Sequence, residues 1–336
     1  MRVEAIAMSF GALMLACTIT GTAGSAEKLP GAGISVQPSD QNYPNEWFER
    51  DLVSMGLEDL GYDVKKSASM QLQTAIISVA NGDATFYATY DDPLHTAFWE
   101  KAGGKSKLQP VGTLVEKFLQ GYLIDKKTAD AYNIKTINQL KDPKIAKLFD
   151  NDGDGKAELY GCQTGWGCER VIENHLDVYG LRDTVQHLQG SYEAIIADAI
   201  QRIKAGTPTL YYSWSPMWLT TILTPGKNVV WLTVDFTALP KELQGAETIV
   251  PGIGNLGFTF FTERVLANTA FLDKNPAARK WFELLKIPQE DISAQSLLIY
   301  QGHGSEEDIR KSAEEWRKNH RAQWDGWITE AKAAAK

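Results

Sequence analysis

The stretch Gly161-Cys162-Gln163-Thr164-Gly165-Trp166-Gly167-Cys168 constrains this chain more than any other. Two cysteines six positions apart can close a small ring, and only an oxidising compartment keeps such a bond. The glycines let the ring backbone take conformations that side chains forbid and bring N–H groups close to a ligand. Glu169 to Leu176 follows, with apolar residues at 171, 172 and 176 on one helical face. Gly167 and Cys168 then open a helix, where free N–H groups and the dipole favour an anion such as a carboxylate. Trp166 stands beside that turn, a combination suited to a small zwitterion with a bulky cationic head. A stapled surface loop with a packing tryptophan fits the same eight residues.

The N-terminus agrees with an oxidising compartment. Arg2 precedes an apolar run from Ala5 to Ala16, and Gly24-Ser25-Ala26 supplies small residues for cleavage after Ala26. Lipidation at Cys17, within Met14-Leu15-Ala16-Cys17, is the competing expectation. No later stretch reaches the ~20 apolar residues that span a bilayer, so an exported soluble chain is expected. Of 336 residues, about 310 remain after residues 1–26, enough for two lobes with separate cores. The formal charge stays at −8, because Arg2 and Glu4 cancel, and that acidity argues against a nucleic-acid partner. Cys162 and Cys168 are then the only cysteines, which reads as one disulfide. So short a ring stabilises by only ~2–3 kcal/mol, and its expected use is to fix the loop's shape.

Along the chain, Gly33 to Gln37 reads as a strand ended by Pro38, Trp47 to Leu60 as an amphipathic helix and Gly61 to Val64 as a strand. Gln71 to Ala80 is a helix closed by Asn81-Gly82, and Ala84 to Ala88 another strand. This alternation predicts an α/β lobe with a mostly parallel sheet, whose strand ends hold the ligand. Gly121 to Asp125 is expected to leave the first lobe. Short helices over 128–132, 137–140 and 143–149, a helix over 191–204, and strands at 209–212 and 229–232 build a second. The chain returns near Gly257 to Phe261. Ser305 caps a long terminal helix whose Trp316, Trp324 and Trp327 are expected core anchors.

Gly252-Ile253-Gly254-Asn255-Leu256-Gly257 has dinucleotide-fingerprint spacing but precedes a β-rich run, so no helix dipole would meet a pyrophosphate. Asp150-Asn151-Asp152-Gly153-Asp154-Gly155 resembles the start of a calcium loop, yet its twelfth position is Gly161, not a bidentate carboxylate. A tight Asp/Gly turn is the other reading, and no metal is assigned. The five histidines show no metal-ligand spacing, and no nucleophile sits in a recognisable setting, so neither enzyme nor cofactor is expected. His95 follows Tyr90-Asp91-Asp92-Pro93-Leu94, taken as a loop just past a strand, and can donate to a carboxylate. In Tyr211-Tyr212-Ser213-Trp214-Ser215-Pro216-Met217-Trp218 a strand ends near Tyr212, leaving Trp214 free to face a cleft. Facing Trp166, it would enclose a methylated ammonium, each desolvated cation–π contact contributing up to ~2 kcal/mol.

With these residues stands a resemblance. Leu29-Pro30-Gly31, Gly82-Asp83-Ala84-Thr85-Phe86, Pro93-Leu94-His95, Asp152 to Ala157, Gly165-Trp166-Gly167-Cys168-Glu169 and Trp324-Asp325-Gly326-Trp327 are similar to the periplasmic glycine betaine/proline betaine-binding proteins of osmoprotectant ABC importers. The resemblance covers nearly all of the mature chain. It implies a two-lobed α/β periplasmic binding protein fold closing over one ligand at a hinge, working as a monomer with a membrane ABC permease. Lobe one would be residues 27–125 with 258–336, and lobe two residues 126–257. The resemblance further implies a tryptophan box around a quaternary ammonium, here Trp166 and Trp214. The ligand carboxylate would meet His95 and the N–H groups of Gly167 and Cys168. Where the family has a third box tryptophan this chain has Asp91, with Tyr90 as a displaced wall. Choline, trimethylamine N-oxide, carnitine or an amine with N–H donors therefore joins the betaines as an expected ligand. Glu116-Lys117-Phe118 departs from the family's small or neutral residues near the crossover strand. A ligand sensor shares the same fold.

Overall fold

The computed structural model describes Met1 and residues 28–336. The expected export segment and Cys17 lie outside the described residues. Nine strands are joined edge to edge through hydrogen bonds. Their order is Ala68–Met70, Pro38–Gln41, Phe86–Asp92, Phe261–Asn268, Leu108–Asp125, Leu210–Ser215, Ala157–Tyr160 and Val185–Leu188, with Val229–Leu232 also on Leu108–Asp125. The outer strands at both ends pair parallel, as the strand–helix alternation predicts. The centre corrects that expectation: Phe261–Asn268 runs antiparallel to both its neighbours, and Leu210–Ser215 and Val229–Leu232 run antiparallel to Leu108–Asp125. Two strands returning from elsewhere in the chain are inserted where a run of βαβ units would have kept one direction.

The strand expected at 121–125 is the second half of an 18-residue strand, Leu108–Asp125. Its first half pairs with Phe261–Asn268 and its second with Leu210–Ser215, the partner changing between Phe118 and Leu119. Phe118 and Phe261 stack at this change, ring centroids 4.6 Å apart and 9° from parallel. One strand thus threads both halves of the molecule.

Trp47–Asp59 is a helix, as its apolar spacing predicts, and Leu72–Asn81 ends at Gly82 with φ 84°, a left-handed cap that glycine takes without strain. Pro38 begins a new strand instead of ending the first. The terminal helix is two helices, Glu306–Asn319 and Arg321–Ala333, separated at His320. Ser305 caps the first, its hydroxyl accepting from Asp308 N–H at 3.1 Å. Trp324 is fully buried with its ring 4.8 Å from Trp281, and Trp316 lies 6.4 Å from Trp324, so these rings hold core. Residues 249–255 form a two-stranded hairpin, and the next helix starts only at Thr269, so the glycine spacing there opens no helix. Among the described residues no helix is long and apolar enough to cross a membrane.

Candidate ligand-binding site

Cys162 and Cys168 are bonded with Cα atoms 6.0 Å apart, and the ring they close holds Trp166 at the N-cap of the helix Gly167–Val178. Trp166 is 8% exposed. Its indole Nε1 donates to Gln41 Oε1 at 2.9 Å, across 125 positions of sequence. Tyr43 and Trp214 meet it edge-on, with centroids at 5.2 and 5.9 Å. Trp214 lies in the strand Leu210–Ser215, two residues further along than expected, and packs on Tyr192 at 4.7 Å. Gly167 approaches the opposite wall so closely that a Cβ there would stand 2.7 Å from Leu94 Cγ and 3.2 Å from His95 Cδ2. As first residues of the helix, Gly167 and Cys168 have N–H groups with no intrahelical acceptor.

These groups line one cavity of about 70 Å³ that also receives Asp91, His95, Phe118, Tyr212 and Phe261. Six of the seven expected ligand contacts are therefore brought together: Trp166, Trp214, His95, Gly167, Cys168 and Asp91. Tyr90 is not among the lining residues. Adjacent strand residues point to opposite faces, and Tyr90 is buried behind, its ring edge-on to His95 at 5.6 Å. Both Tyr90 and Asp91 belong to the strand Phe86–Asp92, which runs four residues beyond the expected one, so they are strand residues and not loop. Of Glu116-Lys117-Phe118, only Phe118 reaches the cavity. Lys117 lies at φ 49° with its ammonium 5.0 Å from the Phe260 ring, and Glu116 is exposed.

His95 is held in one tautomer. Its Nδ1 accepts from the Asp91 backbone N–H at 3.1 Å, so the ring proton sits on Nε2, 3.4 Å from Asp91 Oδ2. Burial pushes the imidazole down to about 3, so it is neutral at physiological pH. Glu46, Glu49 and Glu263 complete the lining, and the sequence reading missed all three. Glu46 accepts from Gln41 Nε2 at 2.7 Å, Tyr87 Oη at 2.9 Å and Thr89 Oγ1 at 2.8 Å. Gln41 thus links the Trp166 indole to the Glu46 carboxylate. Burial pushes Glu46 and Glu49 up to about 8 and raises Asp91 and Glu263 well above the usual carboxylate range; the charge of Asp40 reinforces Glu46, and those of other cavity acids reinforce the rest. Glutamates at the start of a helix normally complement its dipole in water, so nothing in the pattern of Glu46 and Glu49 signals burial. Among the described residues, no lysine or arginine lines the cavity.

The acidic turn lies elsewhere. Asp150 accepts from Gly153 and Gly155 N–H, Asp152 from Asp154 N–H and Asp154 from Lys156 N–H, the bonds of a tight Asp/Gly turn. Glu158 joins them, one carboxylate oxygen of each lying within 4.8 Å of the others. Its Oε2 accepts from Asn151 N–H at 2.6 Å.

Two sheet halves joined by a shared strand, with an aromatic and polar cavity where their partners change, define a two-lobed solute-binding protein. Residues 34–319 match the family described as the substrate-binding domain of the ABC-type glycine betaine transport system, and the chain belongs to that family. It is 48% identical over 319 residues to the glycine betaine/proline betaine-binding periplasmic protein of Escherichia coli, covering 95% of this chain and 96% of that one. It is 46% identical over 329 residues to the glycine betaine-binding periplasmic protein of Dickeya dadantii, covering 98% and 99%. Among solved structures, the glycine betaine/L-proline-binding protein of an ABC transporter from Borrelia burgdorferi superposes with a TM-score of 0.69 at 18% identity, covering 90% of this chain and all of that one, which shows the fold. The protein is thus a periplasmic substrate-binding component of an ABC transport system and not an enzyme.

Proposed function

We propose that this protein captures a betaine-like quaternary ammonium or methylated amine compound in the cavity between Trp166 and Trp214 and delivers it, as a monomer, to a membrane ABC permease. The observation that carries the reading is the aromatic enclosure: Tyr43, Trp166, Tyr212 and Trp214 line one small cavity. Such faces attract a methylated cation through their quadrupoles and bury its methyl groups at the same time. The two lobes are residues 28–118 with 261–336 and residues 119–260, the first boundary falling earlier than the expected 125/126 because Leu119 to Ile124 pair with Leu210–Ser215. The first crossing runs inside the long strand, near Phe118, and the second near Phe261. The bond from Trp166 to Gln41 and the contact of Gly167 with Leu94 lie between these lobes, as a closed cleft requires.

Calorimetry with the mature protein and a panel of methylated amines tests this. At least one of glycine betaine, choline, dimethylglycine and N,N-dimethylethanolamine is expected to bind. Trp166→Ala and Trp214→Ala should each weaken it by about 1–2 kcal/mol, roughly five- to thirtyfold. Binding that ignores both substitutions would place the site elsewhere.

A further inference from the structure

The titratable groups inside the cavity are one-sided: four acids and no base that is charged, with the acids holding protons in the empty cleft and ionising as a cation enters. Glu46, Glu49, Asp91 and Glu263 all line the cavity, and its single imidazole is neutral. Asp91 and Glu263 face each other directly across the antiparallel pair of Phe86–Asp92 and Phe261–Asn268. Like charges so placed destabilise a sheet, which together with burial holds protons on this pair until a cation enters. Three lining atoms are buried without a hydrogen-bond partner: Asn45 Oδ1, Glu49 Oε2 and Glu263 Oε2. Asn45 Oδ1 is an acceptor, and the two glutamate oxygens become acceptors alone once a cation ionises them; each such atom left unmet costs roughly 1–3 kcal/mol. The one ring proton of His95 lies beside Asp91 Oδ2, so a ligand carboxylate approaching that proton meets a carboxylate already there.

We propose that this cleft selects a compact methylated amine cation that retains at least one N–H and carries no carboxylate. The inference rests on the reading of the cavity as a methylated-ammonium site and narrows it. Once a bound cation has drawn these four acids into their ionised forms, a zwitterion brings a fifth carboxylate among them. A quaternary ammonium satisfies the charge but has no N–H, and leaves the orphaned acceptors unmet. A protonated tertiary or secondary amine supplies both, with its methyl groups against Trp166 and Trp214. The cavity volume of about 70 Å³ suits a small ligand, because a buried water occupies roughly 10–15 Å³ on the same measure.

Four compounds separate the two requirements at neutral pH. Glycine betaine has a carboxylate and no N–H, and dimethylglycine has both. Choline has neither, and protonated N,N-dimethylethanolamine has the N–H alone. Calorimetry on the wild-type protein should rank N,N-dimethylethanolamine first, with choline and dimethylglycine each at least tenfold weaker and glycine betaine weakest. Glu263→Gln keeps the shape and removes a charge. It should weaken the dimethylethanolamine complex about tenfold without weakening glycine betaine. If the variant does not fold, the wild-type ranking alone decides. Glycine betaine binding as tightly as the N–H cation, and lost in Trp166→Ala, overturns this proposal and leaves the methylated-ammonium reading standing. No binding by any of the four overturns that reading itself.

Discussion

Asp91 puts an ionisable carboxyl on the cavity wall, and its surroundings decide what that does. Its backbone N–H orients His95 and its carboxyl Oδ2 lies 3.4 Å from the imidazole Nε2, so one residue sets the tautomer and stands beside the histidine's donor. Asp91→Asn keeps the backbone bond and removes the charge. A cation without a carboxylate, such as choline, should then bind severalfold more weakly, while glycine betaine gains a freer His95 Nε2 proton. Asp91→Trp should move preference further toward glycine betaine. Affinities of the three proteins for both compounds check this, and an unchanged ranking would mean that Asp91 does not meet the ligand. The sequence shows Trp166, Trp214 and His95 because an aromatic beside a strained turn and a histidine past a strand are local signals. It hides Glu46, Glu49 and Glu263 because their burial is decided by elements far away in the chain. Glu263 reaches the cavity only through pairing with a strand some 170 positions earlier, at Asp91.

At the scale of the element, the cysteine ring and the terminal helices have different tasks. The ring fixes a loop that carries Trp166, Gly167 and Cys168, all cavity-lining, and closes so few residues that its effect on the unfolded chain is small. Thiol titration of the denatured, unreduced mature protein should find no free thiols. Reduction should lower ligand affinity more than its ~2–3 kcal/mol of stability alone would suggest. The terminal helices touch none of the lining residues' walls with Trp324, whose ring sits against Trp281 and whose Nε1 donates to Asp59 at 2.7 Å. Trp324→Ala should cost about 3–5 kcal/mol of stability, read as a large fall in melting temperature, with affinity preserved well below it. Helices with clear apolar spacing, such as Trp47–Asp59 and Leu72–Asn81, are legible within a residue or two. The first half of Leu108–Asp125 is not legible. Its Gln109-Pro110, Gly112 and Glu116-Lys117 interrupt any alternation, and Lys117 takes a left-handed φ that a regular strand excludes.

For the whole molecule, the cavity acids make folding and ligand capture depend on pH in opposite directions. Glu46 and Glu49 hold their protons up to about 8 in the folded protein, whereas the unfolded chain releases them near 4.5. Between these values the folded state binds more protons, so rising pH removes stability. His95 and His175 act the other way, because burial pushes both down to about 3 and the unfolded chain must give up their protons near 6.5. Above 6.5 the histidines are neutral in both states and only the acids still titrate. The melting temperature of the ligand-free protein should therefore fall between about pH 6.5 and 8, and Glu49→Gln should flatten the fall. A bound cation favours the ionised carboxylates, so its affinity should rise over the same interval. Calorimetry in two buffers of different ionisation enthalpy should show protons released on binding. The expectation is sharp because the two lobes supply the opposing parts: Glu46, Glu49, Asp91 and Glu263 come from one side of the crossing at Phe118 and Phe261, while Trp166 and Trp214 come from the other. Closure on a cation buries the aromatic faces and draws the acids into their ionised forms in one step. A melting temperature that is level from pH 6.5 to 8, with cation affinity equally level, would mean that these carboxylates are ionised and hydrated in the empty cleft.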